Sequence, residues 1–184
     1  MKKALITVLI LIILAGGTAL AFMMRHNNII EAAFEERGEI LEIIYSMDDN
    51  PATTPEEVMH YAVNILSALH GNYITEDGLF AGIIYRQRQL FGQEILDLNS
   101  FESQYNYFLF QLAERRLNGM YQTGIRLVDI QYLTQYPEAA RAHVSQTFEN
   151  LGLVHWVYVL ENEPENGWRI QSWHLADAHF RIIP

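Results

Sequence analysis

Near Asn118-Gly119 the spacing of apolar residues changes from helical to alternating. Before that point three stripes recur at helical spacing: Val58, Ala62, Ile65 and Leu69; Phe80, Ile84, Phe91, Ile95 and Leu98; Phe101, Tyr105, Phe108 and Leu112. After it, residues 124–133, 140–149, 153–161 and 168–176 read as strands, separated by Pro137, Gly152 and the connector ENEPENG. Connectors this short favour antiparallel neighbours, and Asn166-Gly167 signals a hairpin. Helices first and strands afterwards predict an α+β fold, with helices on one face of a four-stranded antiparallel sheet.

The helix starts are marked locally. Residues 29–46 read as a first helix, weakened at Gly38. In NPATTPEEV, Thr54 is placed as N-cap, Pro55 occupies the first helical position and Glu57 stands at the capping-box spacing. Gly71 closes that helix as a C′ residue would. Thr75 is read as the cap of a helix running to Leu98, which Gly92 interrupts or shifts in phase, and Ser100 precedes the last helix.

Ala4–Met24 contains no charge and is long enough to cross a bilayer core as a helix. Lys2 and Lys3 favour a cytoplasmic N-terminus. The rival is a signal peptide cleaved after Ala21, with Ala19–Ala21 as its small-residue site. Continuation of the apolar run through Phe22, Met23 and Met24 favours an uncleaved, single-pass anchor at the cell membrane. Either reading exports the residues beyond 25. The expected organisation is 1–25 anchor or signal peptide, 26–53 juxtamembrane helix and linker, and 54–184 α+β domain.

The chain has no cysteine, which excludes disulfides, thiol nucleophiles and thiolate metal sites. With Lys2 and Lys3 set aside, ten of the 12 basic residues remain against 22 acids. A surface so acidic repels phosphate backbones and anionic headgroups, so no nucleic-acid partner is expected.

A membrane segment, helices and a four-stranded sheet ending in NGWRIQSW resemble the nuclear-transport-factor-like, or SnoaL-like, superfamily. The GWRI of Gly167–Ile170 is similar to a frequent ending of that superfamily's last strand. NPATTPEEVMHYAVNIL, RQLFGQEILDLN and GWRIQSW together resemble an uncharacterised family of small membrane-anchored exported proteins of Gram-positive bacteria, over residues 50–176. The resemblance implies a cone-shaped domain and an extracytoplasmic location, and it supplies no catalytic residues. The superfamily holds both enzymes and non-enzymes, so the fold does not assign an activity.

The residues themselves offer a short set of candidates. His174 shares strand parity with Trp168 and Ile170, so it points into the cone if they do, where a neutral imidazole is a possible general base. Gln87 and Glu94 fall within one apolar helical arc and would line a polar pocket if the helix is continuous. Gln87, Trp168, Ile170 and His174 are the candidate ligand-binding set. Trp173 has the opposite parity. With Val157 and Val159 it would form an apolar patch on the outer sheet face, suited to a homodimer or a partner protein.

Other candidates have blander readings. Asp129 alternates with Arg126 and Gln131 on a solvent face, and His60, His143 and His155 suit surface positions. His174, Asp177 and His179 match no metal-site spacing, so no metal or cofactor is expected. Phe101, Tyr105 and Phe108 suit the core, while Tyr107 and Phe110 fall off the stripe and need a second contact. These residues leave two functions open. One is a membrane-tethered binding or scaffold domain acting through protein contact or a small apolar ligand. The alternative is a small isomerase, dehydratase or hydrolase site using His174 with an inward carboxylate.

Overall fold

The computed structural model describes residues 38–71 and 77–183. The apolar segment 4–24, the stretch 26–37 and the expected Thr75 cap lie outside the described residues. No helix among the described residues is long and apolar enough to cross a membrane.

Residues 38–46 are helical (α1), and Ile40, Ile44 and Met47 are buried in the main core. The second helix, α2 (Pro55–His70), starts where its sequence demands. The Glu57 N–H donates to Thr54 Oγ1 at 3.2 Å, and Glu57 Oε2 accepts from the Thr53 N–H, the Thr53 hydroxyl and the Thr54 N–H. These bonds, that from the Thr53 backbone foremost, hold the Glu57 carboxyl below its usual range. Gly71 ends the helix in extended backbone (φ −70°) rather than in the left-handed conformation of a C′ glycine.

The expected third helix is broken in two, α3 (Asp77–Gln89) and α4 (Gln93–Leu98). Between them the chain docks on the sheet. The Gly92 N–H donates to the Ile170 carbonyl at 2.9 Å, and the Ile170 N–H donates to the Leu90 carbonyl at 2.8 Å. The Gln171 side chain fills the space over Gly92 and would have to swing away to admit a Cβ there. The break changes the helical phase, so Gln87 is buried and Glu94 is exposed. The last helix is α5 (Phe101–Leu117).

The strands β1 (Gln122–Leu133), β2 (Tyr136–Phe148), β3 (Gly152–Glu163) and β4 (Gly167–Ala176) form an open antiparallel sheet in the order β1-β2-β3-β4. Gly167 has φ +72° in the β3–β4 turn, a conformation that favours glycine. One face of the sheet meets the helices. Ala140, Ala142, Val144, Leu160 and Ile170 pack there with Val58, Ile65 and Leu69 of α2 and with Ile83 and Ile84 of α3.

A β-bulge decides which β4 side chains join them. Val159 pairs with Ser172 while Leu160 pairs with Ile170, which leaves Gln171 without a partner. Parity reverses there, so Trp168, Ile170 and Trp173 share the helix-facing side, with Tyr158 paired to Trp173. Ser172 and His174 face the other way, joined by a 3.1 Å hydrogen bond between Ser172 Oγ and His174 Nε2.

The chain after β4 folds back over that outer face. The ring of Phe180 stacks on His143 (centroids 4.5 Å apart, 6° between planes) and meets His155 edge-on at 4.9 Å. Val157, paired with His143 and His174, is 1 % exposed. The Asp177 carboxylate anchors this tail by accepting from the backbone N–H groups of His179 and Arg181 and from the Arg181 guanidinium. Those bonds, led by the Arg181 backbone, pull the Asp177 carboxyl down to about 2.

Candidate binding cleft

Between α5 and the helix-facing side of the sheet lies a cleft of about 130 Å³. Six aromatic side chains line it: Phe91 from the α3–α4 break, Tyr107 and Phe108 from α5, Trp156 and Tyr158 from β3, and Trp173 from β4. Phe91 and Trp173 stack with centroids 5.5 Å apart. Ala62 and Leu66 of α2, Leu90 and Ile170 complete the apolar lining. This space exists because the bulge at Gln171 brings Trp173 inward and the Gly92 contact brings Phe91 to meet it.

The polar lining is one-sided. It consists of His70, Gln87, Gln111, Arg115 and Gln146, with no aspartate or glutamate. Arg115 Nη1 lies 2.8 Å from His70 Nδ1. A guanidinium only donates, so Nδ1 is the acceptor and the imidazole proton sits on Nε2. Burial, with the Arg115 charge second, pushes His70 down to about 3, so the ring is neutral across the physiological range. Burial also lowers the Arg115 guanidinium, which lies 5.0 Å from the Phe148 ring centroid. Burial pushes the Tyr158 phenol up.

Gln87 is fixed from behind. Its Oε1 accepts from Gln104 Nε2 at 2.9 Å, and Gln104 Oε1 accepts from Arg88 at 3.0 Å. That chain leaves the Gln87 amide N–H groups without a partner among the described residues. The indole Nε1 of Trp156 is buried and likewise has no partner there.

The sequence candidates separate accordingly. Gln87 and Ile170 line the cleft. Trp168 is buried beside Tyr132, edge-to-face at 6.0 Å, and does not reach it. His174 does not point in with Ile170: the bulge turns it to the outer face, where it is exposed.

The patch expected from Val157, Val159 and Trp173 does not form, because Trp173 lies on the opposite side of the sheet and Val157 is buried on the face that Phe180 covers. His143, expected at the surface, is 9 % exposed, with Nδ1 2.6 Å from Asp129 Oδ1. Phe108 is core, but Phe101 is exposed. Tyr107 is mostly exposed yet contributes to the cleft, and Phe110 is exposed on the same helix.

Sequence reasoning missed His70, Arg115, Trp156 and Tyr158. His70 and Arg115 stand 45 residues apart, on helices whose phases do not reveal the pairing. Trp156 and Tyr158 carried an alternation signal, since they share parity with Leu160. No protein-family model, curated protein or solved structure matches the chain.

Proposed function

We propose that this chain is a ligand-binding domain whose aromatic cleft takes a small, largely apolar molecule. In this reading residues 4–24 hold it at the membrane, outside the cytoplasm, and the helices and sheet form the cone of the nuclear-transport-factor-like superfamily. The observation that carries it is the composition of the cleft: six aromatic side chains around a pocket with no carboxylate. Such a pocket gains affinity from apolar contact and has few groups to orient a reaction.

The enzymatic alternative has less support. His174 is outside the cleft, and His70, the histidine within it, is held as a weak base by burial and by Arg115. A general base works best with a pKa near the operating pH.

The test is ligand-detected fluorine NMR on the full chain in detergent micelles, with the neutral probe 4-fluorophenylacetamide. Saturable broadening above that of empty micelles is expected, and it should disappear in Gln111→Trp, which fills the cleft. Equal broadening by both proteins would put the probe elsewhere and refute the reading.

A further inference from the structure

We infer that the molecule taken by the cleft is a small aromatic acid whose carboxylate pairs with Arg115. This rests on the ligand-binding reading above and specifies the chemistry of the ligand.

Charge comes first. Arg115 is the one charged side chain of the lining, and no ion pair among the described residues involves it. Its polar contact there is a neutral imidazole. A half-buried guanidinium held against neutral groups keeps its charge without a counter-ion, and its local attraction for an anion acts against the net charge of −10 of the whole chain. A negative group brought by a ligand would be desolvated beside that guanidinium, where a charge-assisted hydrogen bond is strongest.

The hydrogen-bond inventory points the same way. The His70 tautomer fixed by Arg115 presents Nε2–H, which has no partner among the described residues. The Gln87 amide is held so that its N–H groups are the unoccupied end. Against these donors the lining sets the acceptor Gln146 Oε1, with the amide N–H of that side chain spent on Gln122; with the Arg115 guanidinium counted the donors remain in excess, which a carboxylate, with two acceptor oxygens, suits better than an amine or an alcohol.

Size and wall composition define the remainder of the ligand. The cleft volume, about 130 Å³, is close to the ~150 Å³ of an apolar cavity that accepts one benzene ring. The Phe91, Trp173 and Tyr158 rings, packed on one another, form a continuous aromatic wall against which a flat aromatic body can lie.

The experiment compares 4-fluorophenylacetate, 4-fluorophenylacetamide and 4-fluorophenethylamine on the full chain in micelles, by the same fluorine signal. The acid is expected to bind roughly tenfold more tightly than the amide, as a hydrogen bond to a charged group implies, and the amine not to bind. In Arg115→Gln the preference for acid over amide should fall to within about twofold. Gln87→Leu, which removes one donor at similar volume, should weaken the acid more than the amide. It serves as the second variant if Arg115→Gln does not fold. Equal binding of acid and amide by the wild-type chain would overturn the inference and leave the ligand-binding reading standing. Failure of all three probes to bind would remove both.

Discussion

The ring of Trp173 lies stacked on that of Phe91, centroids 5.5 Å apart and planes 22° from parallel. Neither side chain reaches that position through regular secondary structure. Phe91 sits in the break between α3 and α4, held by the paired hydrogen bonds of Leu90 and Gly92 with Ile170. Trp173 sits beyond the bulge at Gln171. The same glutamine fills the space over Gly92, and its Nε2 donates to Glu163 Oε1 at 2.8 Å. One irregular patch thus builds the wall of the cleft.

Gly92→Ala tests that patch. Its φ of −69° is open to alanine, so the conflict is steric and falls on Gln171. Gln171 would have to swing away and give up its bond to Glu163, at a cost of about 0.5–1.5 kcal/mol. Alanine also restricts the unfolded chain, which returns ~0.4–1 kcal/mol. The single substitution is expected to be neutral to about 1 kcal/mol destabilising. In a Gln171→Ala background the same change should stabilise by about 0.5 kcal/mol. Urea midpoints of the four proteins in this cycle measure the reversal. A Gly92→Ala effect of one sign in both backgrounds would mean that Gln171 is not the obstacle.

How much of this fold is legible in the residues depends on which interactions are local. The Thr54–Glu57 capping box spans three residues, and its residue types and spacing suffice to place it. The four strands and the turn at Gly167 are readable from alternation and turn chemistry. Counting by two along GWRIQSWH, however, assumes an uninterrupted pleat. Nothing in those residues marks Gln171 as a bulge, so Trp173 and His174 exchange faces and the candidate site exchanges with them. The His70–Arg115 contact depends on how α2 and α5 cross, which no local pattern encodes. The burial of His143 is hidden for a related reason: Phe180, which covers it, arrives from 37 positions further along the chain.

Thr54→Ala is the control on the local side. It removes the side-chain oxygen that accepts the Glu57 N–H and is expected to cost about 1 kcal/mol. Because the cap lies about two helical turns before Ala62, the first cleft residue of α2, and packing against the sheet holds the rest of the helix, probe affinity should be unchanged. A shift in urea midpoint with constant fluorine titration curves is the expected pair of results. Loss of probe binding at full folding would show that the start of α2 is coupled to the cleft.

Phe180 combines a favourable contact with an unfavourable backbone. Its ring covers His143 and the edge of His155, while its φ of +55° lies in the left-handed region. Phe180→Ala should lose about 1–3 kcal/mol of burial and stacking. Phe180→Gly loses the same ring but relieves a backbone cost of ~1 kcal/mol, so the glycine variant should be the more stable of the two. Urea midpoints rank the three proteins. Hydrogen exchange at Val157 should accelerate in both variants if the tail protects the outer face, and unchanged exchange would refute that role.

The His70–Arg115 pair makes a prediction about pH with a definite sign. In the folded protein burial and the neighbouring guanidinium hold His70 at about 3, against 6.5 for the ordinary group. Well above pH 6.5 the imidazole is neutral in both states and contributes no pH dependence. As the pH falls below 6.5 the unfolded chain takes up a proton that the folded chain refuses, so stability declines until the folded group titrates near pH 3. The loss between about pH 7 and about pH 5 should be about 1–2 kcal/mol. In His70→Gln the side-chain oxygen can still accept from Arg115, but nothing titrates there, so the decline over that interval should shrink by the same amount. Urea midpoints at the two ends of that interval, for the two proteins, decide it. Identical slopes would mean that His70 takes up its proton in the folded state, and that the donor-rich site inferred for the cleft is wired differently.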